Sequence, residues 1–210
     1  MTEVVKKTSR GELTREKILN SAEKIFAEKG FAVARLEDVA QEVGIRRASI
    51  VYYFKDKQEL YDAVESRLYL ALEEAIQQAL IDTATTVEKL LAIVDSSLDF
   101  MVSQPSLPRF ILRNISDIYP AGSDPVRFSR MTVEIWIRTI QEGQEKGEIC
   151  PINPIQFVNL VGGGILNYAT TGTLFGEDHR YQPDKSSDLE AYRELLHRTT
   201  YALMSVEPHD

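Results

Sequence analysis

Apolar residues recur along most of this chain at three- and four-residue intervals, the spacing of helices that bury one face, and nothing reads convincingly as strand. Ile18, Ala22, Ile25 and Phe26 share one face of a first helix, with Thr14 as its expected N-cap and Gly30 as its end. Phe31 and Val33 are expected to pack on the connection. Leu36, Val39, Ala40 and Val43 give a short second helix an apolar face, and Ala40 is small enough for another helix to pack close. Gly44 ends that helix, since glycine takes the left-handed conformation at little steric cost and lets the chain turn steeply. A third helix runs from about Arg46 to Tyr53 and turns Ile45 and Ile50 inward. Asp56 and Glu59 form a capping box for a fourth, beginning at Lys57. Its apolar positions Leu60, Val64, Leu68, Leu72, Ile76 and Leu80 extend over about 24 residues, roughly 36 Å at 1.5 Å per residue. A rod of that length connects two domains and carries a tilt that a flexible linker would absorb.

The later segments stay helical. Thr85 and Glu88 form a second capping box, opening a helix through Leu91, Val94, Leu98 and Met101. Pro105 and Pro108 bracket a break before a short helix near Arg109 to Ser116. Asp124 and Pro125 signal the start of a helix carrying Phe128, Met131, Ile135, Trp136 and Ile140, which ends near Gly147. Asn153 and Pro154 repeat the signal for residues 155–171, and an amphipathic helix covers about Leu189 to Met204. Residues 172–187, rich in Gly, Asp, Pro and Ser, are expected to form a loop. The fold class is therefore all-α. Residues 1–12 read as a flexible basic arm, 13–56 as a three-helix head and 57–210 as a larger helical body.

The second and third helices, crossing at Gly44, have the spacing of a helix-turn-helix. With Ile45 and Ile50 turned inward, Arg46, Arg47, Ser49, Tyr52 and Tyr53 are left in outward or flanking positions where a DNA duplex would sit. The net charge of −8 argues against a general nucleic-acid binder. The charge is uneven, however. Residues 1–60 hold 12 Lys and Arg against 10 Asp and Glu, a balance of +2, and the remaining 150 hold 12 against 22, a balance of −10. An acidic body with a basic end orients an encounter with DNA. In the arm, Lys6, Lys7 and Arg10 are placed to touch phosphate or simply to be solvated.

The N-terminal third resembles the TetR family of bacterial transcription regulators. The resemblance lies in Ile18 to Phe31, then Val39-Ala40, Gly44, and Tyr52-Tyr53-Phe54-Lys-Asp-Lys57-Gln-Glu-Leu60, in one order and spacing. It implies an all-helical homodimer with a DNA-binding head and a ligand-binding body of about six helices. By position, Ser49, Tyr52 and Tyr53 would contact backbone or base edges, and Lys57, at a helix N-terminus, would bind phosphate. Phe54 reads as core. There are departures. The family caps its first motif helix with threonine or serine, where this chain has Ala34 and Arg35, so the cap is weaker or met by another group. Where the family often has serine, lysine and glycine, this chain has Arg46, Arg47 and Ala48. Arg47 suits bidentate bonds to guanine and Arg46 a grip on phosphate. Val51 replaces a usual tyrosine, to contact a thymine methyl or to pack.

The resemblance also implies a pocket in the body for a small-molecule effector, and Phe110, Arg113, Trp136 and Tyr168 are its candidate lining. Arg113, if buried, needs an anionic partner, either Asp117 or a ligand carboxylate. Gly162-Gly163-Gly164 lacks the Gly-Lys-Ser/Thr of a phosphate loop and follows no strand. Three glycines in a helix point instead to a close helix-helix approach, or to a kink near the pocket. In the family the last two long helices pair between protomers, which makes Gly162, Gly163, Gly164, Leu195, Leu196 and Leu203 candidates for a homodimer interface.

The sequence predicts no cofactor, no metal and no enzyme. His179, His197 and His209 are scattered, and Cys150, read as a small buried hydrophobe, has no visible base. The N-terminal residues lack an apolar signal core, no run approaches the ~18 to 20 apolar residues of a membrane span, and the cytoplasm is the expected location. The expected function is a ligand-responsive regulator, a repressor that binds a palindromic operator as a dimer. The alternative is a helical small-molecule-binding or interaction protein that no longer binds DNA, for which the weak cap at Arg35 is the only support.

Overall fold

The computed structural model of the protein describes residues 10–116, 128–174 and 176–204. Lys6 and Lys7, Asp117, the start signal at Asp124 and Pro125, His209, and the side chain of Leu203 lie outside them. The described residues are helical, without strands. The chain divides into two compact units, Met1–Arg67 and Leu68–Asp210.

In the first unit, α1 (Arg10–Val33) buries Ile18, Leu19, Ala22, Ile25, Phe26 and Ala27. Helix formation starts earlier than expected. Arg10 already belongs to α1, and Thr14 is no cap: its hydroxyl donates to the carbonyl of Arg10 at 2.9 Å, a bond within the helix. Gly30 does break the regular helix, at φ +78° and ψ 165°. Beyond it Phe31 packs edge-on against Tyr61, with ring centres 5.1 Å apart, and Tyr61 meets Phe26 at 5.0 Å. Val33, by contrast, is exposed.

Helix α2 (Leu36–Val43) buries Leu36, Val39 and Ala40 against α1. Its N-terminus is completed by a carboxylate. Asp38 accepts from the Arg35 amide at 3.1 Å and pairs with Lys29 at 3.1 Å, while the Arg35 side chain, having no acceptor, leaves the reciprocal bond unmade. Bonding to Lys29, then to the Arg35 amide, holds the Asp38 carboxyl below its usual range. At the other end Gly44 sits at φ +76°, and the Ile45 amide closes on the Ala40 carbonyl at 2.9 Å. Helix α3 (Arg47–Tyr53) follows, anchored by fully buried Ile50, with Ile45 half-buried and Phe54 in the core.

Helix α4 (Lys57–Leu80) begins where Asp56 accepts from the Glu59 amide at 2.9 Å. The Glu59 carboxylate reaches back to the Lys55 amide, at 2.7 Å. Leu60, Val64, Leu68, Leu72 and Ile76 are buried along it, and its residues belong to both units. Within the first unit, Arg67 ties α4 to α1 through Glu23 at 2.6 Å and Asn20 at 2.8 Å.

The second unit continues with α5 (Thr86–Ser103), α6 (Ser106–Ser116), α7 (Arg130–Glu145), α8 (Pro154–Thr171) and α9 (Ser186–Met204). The Thr85 hydroxyl accepts from the Glu88 amide at 3.2 Å and Glu88 returns the bond to Thr85 at 2.9 Å, so the expected capping box is formed. Asn153 caps α8 without such a return, its Oδ1 accepting from the Ile155 and Gln156 amides. Helix α5 packs against α7, α8 and α9. Leu90, Ile93, Val94 and Leu98 of α5 meet a core that includes Leu107, Phe110, Ile140, Val161 and Ile165. Arg193 and His197 of α9 bind Asp95 of α5 at 2.9 and 2.7 Å. The segment after α8, expected to be a plain loop, includes a short 3₁₀ turn (Glu177–His179) and folds back on the helices: Tyr168 stacks between Tyr181, 4.8 Å away, and Tyr192, 4.1 Å away. The Tyr181 hydroxyl donates to the Tyr168 carbonyl at 2.8 Å.

Candidate nucleic-acid interface and body cavity

Burial of Ile50 fixes which way α3 faces. Arg46 and Arg47 are exposed, Tyr52 is 84% exposed, and Ser49 and Tyr53 are half-buried beside them. Tyr52 and Tyr53 lie edge to face with centres 5.1 Å apart, so each limits the other's rotation. Val51 is also substantially exposed, open to a methyl contact and not buried as packing. The guanidinium of Arg47 pairs with Glu37 at the start of α2, at 2.9 Å. Both side chains are about 60% exposed, and an ion pair of that kind contributes about 0 to 1 kcal/mol, so Arg47 leaves it at little cost when a stronger anion is offered. Glu37 was not anticipated; the signal was an acid in the first turn of α2, ten residues before Arg47.

Lys57 does more than its helix-terminal position suggested. Its ammonium donates to the carbonyls of Phe31 at 2.7 Å and Ala34 at 3.1 Å, and lies 4.4 Å from the centre of the Phe31 ring. It thereby satisfies carbonyls left open where α1 ends. Two of its three protons are committed, and one is left for another acceptor.

In the body a cavity of about 420 Å³ is lined from α4 by Tyr69 and Leu72, from α5 by Ser97 and Met101, from α7 by Thr132 and Trp136, and from α8 by Gly162 and Gly163 among others. Of the four candidate lining residues only Trp136 faces it. Phe110 is packed in the core, its helix turning neighbouring Ile111 to the cavity instead. Arg113 is not part of the lining, and Tyr168 belongs to the tyrosine stack. Periodicity marks a buried face but not what that face is buried against. Nothing local in the sequence marks Ser97 and Thr132, which line the cavity although their hydroxyl oxygens are buried.

The three glycines of α8 have different surroundings. A methyl group at Gly164 would lie 2.9 Å from the Tyr192 hydroxyl, so the close helix approach there is between α8 and α9 of the same chain. A methyl at Gly162 would meet only Val158 Cγ1, at 3.9 Å, and one at Gly163 nothing within 4 Å. Leu196 is buried within the protomer, whereas Leu195 is 56% exposed. Among the described residues no group of His, Cys, Asp or Glu is arranged to hold a metal ion, and no helix is long and apolar enough to cross a membrane.

The profile of a family described as bacterial regulatory proteins, tetR family, matches residues 18–64, which span the two motif helices and the head's contacts to α4. The probable HTH-type transcriptional regulator YttP of Bacillus subtilis is 31% identical over 105 residues, 49% of this chain and 51% of YttP, so the chain spans about half the length of that relative. The HTH-type transcriptional repressor NicS of Pseudomonas putida is 27% identical over 137 residues, 64% of this chain and 65% of NicS. For the fold as a whole, the crystal structure of a putative transcriptional regulator, SCO4942 of Streptomyces coelicolor, superposes with a TM-score of 0.72 at 21% identity, covering 92% of this chain and 99% of that one. Residues 18–64, with this turn and this outward face, match the head of the TetR family of bacterial regulatory proteins, and the chain as a whole shares the fold of the solved regulator.

Proposed function

We propose that the chain is a ligand-responsive transcription regulator that represses by binding a palindromic operator as a homodimer and leaves it when a small molecule occupies the body cavity. The observation that carries this reading is α3: Ile50 anchors it in the core while Arg46, Arg47 and Tyr52 stand in solvent. Arg47 reads guanine, Arg46 and the remaining proton of Lys57 hold phosphate, and Ser49, Tyr52 and Tyr53 contact backbone or base edges. The alternative of a head without DNA binding is weakened, because Asp38 supplies one of the two bonds at the end of α2 that lacks a serine or threonine.

Two heads must meet half-sites about 34 to 36 Å apart or a multiple of that, which calls for a dimer. Exposed Ile155 and Leu160 of α8 and Leu195 and Tyr201 of α9 support these two helices as the pairing face, with Gly163 beside them. The cavity supplies the second site that control by ligand requires. A ligand that prefers the form unable to bind DNA lowers operator affinity by its own differential affinity, and operator lowers ligand affinity equally.

Footprinting on the DNA flanking the chain's own gene, at stated salt, tests the proposal. A protected near-palindrome, released by titrated extracts of the source cell, is the expected result. Protection that ignores sequence, or that no extract releases, would contradict operator recognition or ligand control respectively.

A further inference from the structure

Resting on the operator-binding reading above, we propose that Glu37 is a specificity-determining residue: it holds Arg47 by the Nε side, presents the outer nitrogens of the guanidinium to a guanine edge, and keeps that arginine off phosphate. One residue stands in the first turn of α2 and the other at the start of α3, and the turn at Gly44 brings them together. Their closest approach is from Glu37 Oε1 to Arg47 Nε, at 2.9 Å. Among the described residues Nη1 and Nη2 of Arg47 make no hydrogen bond. Both anchor points are fixed. Asp38, beside Glu37, accepts from the Arg35 amide and pairs with Lys29, each at 3.1 Å, and Ile50 pins α3 in the core.

The pair divides the work of two adjacent arginines. Among the described residues Arg46 has no carboxylate partner and keeps its full charge for phosphate, whereas the charge of Arg47 is offset by Glu37. A phosphate oxygen approaching Arg47 meets the repulsion of Glu37 or must displace it. Guanine is uncharged, and it needs two donors in one plane, which Nη1 and Nη2 supply to its O6 and N7. An unsupported arginine swings between base and backbone, so a carboxylate that fixes its direction reduces the ordering that binding must impose. Specificity gains on both sides: the support favours the base contact, and its charge disfavours the sequence-independent one. Both side chains are about 60% exposed, so the pair adds little to folding and its removal leaves the head intact.

The full-length wild type, Glu37→Ala, Arg47→Ala and the double variant are compared by competition anisotropy on the operator that the wild type selects from a random duplex pool. Each base is placed in turn at the Arg47-dependent position, and a scrambled duplex is titrated over a range of salt. In Glu37→Ala the preference for guanine over adenine should fall about three- to tenfold and the scrambled duplex should bind more tightly. The dependence of log affinity on log salt should steepen by up to about one, as the released Arg47 takes a phosphate. Arg46→Ala should flatten that dependence by a similar amount and keep the guanine preference. Adding Glu37→Ala to Arg47→Ala should change base preference no further, a coupling that a merely structural role for Glu37 would not produce. An unaltered guanine preference in Glu37→Ala, an equal loss in the Arg47→Ala background, or a wild-type operator without an Arg47-dependent guanine would overturn the assignment. Each of these leaves the regulator reading standing, whereas a wild type that selects no operator would end both.

Discussion

The head and the body use glycine for different physical ends. In the head, Gly44 has nothing within 4 Å of where a Cβ would be, yet its φ of +76° is one that side chains disfavour, so the residue serves the direction of the chain. In the body, Gly143 is helical, and a Cβ there would fall 2.5 Å from the Thr86 methyl and 2.8 Å from Ile149 Cγ1, so the residue serves the approach of neighbouring segments. The head is specified by a turn encoded within a few residues. The body is specified by contacts between distant residues, and its helices keep a space open between them.

Substitutions test the contrast by their size and readout. Gly143→Ala should be the most damaging, losing about 2 to 3 kcal/mol of stability in chemical denaturation because α7 is forced away from Thr86 and Ile149. A neutral result would mean that the close approach is not required. Arg47→Ala should cost about 1 to 3 kcal/mol of operator affinity, read by fluorescence anisotropy, with thermal stability unchanged since its pair with Glu37 is exposed. Gly44→Ala should lose about 1 to 2 kcal/mol of stability through backbone strain alone, and Gly44→Asn should recover part of it, a recovery that Gly143→Asn would not show.

Alkali should distinguish the units as well. Burial, then the charge of Asp188, pushes the Tyr168 phenol up to about 12, and burial raises Tyr192 as well. A raised folded value means a contribution fully present below the unfolded value of 10.0 and lost as pH rises through about 12. Tyrosine absorbance titration should show late ionisation in the native protein, with loosening of the body in that window, and Tyr168→Phe should remove the late step. The smallest effect belongs to Gly163→Ala. With open space around it, the methyl should stabilise the helix by up to about 1 kcal/mol, and a gain that falls as protein concentration rises would mark close packing of two protomers at that position.

The same contrast explains what the sequence disclosed. Caps and turns depend on residues three or four apart, so Gly44, Asp56 with Glu59, Thr85 with Glu88, and Asn153 were legible. Thr14 misled because threonine bonds to a carbonyl inside a helix as readily as it caps one. The outward face of α3 was legible once Ile50 was read as core, but the partner of Arg47 was not, since Glu37 reaches it only through the turn. In the body, Phe110 and Tyr168 are expected to line the cavity, but Phe110 is packed in the core and Tyr168 in a stack of three tyrosines. Nothing local separates Ser97 from Ser96, and only the packing of α5 leaves one bonded to a carbonyl and the other buried without a bond.

The most direct test of the central claim is selection from a random-sequence duplex pool at fixed salt, with the wild-type chain and Arg47→Ala in parallel. The account predicts that the wild type enriches a near-palindrome whose half-sites are one helical turn or a multiple apart, with guanine preferred at a position that loses its preference in Arg47→Ala. A pool that stays unenriched, or a motif identical for the two proteins, would contradict it.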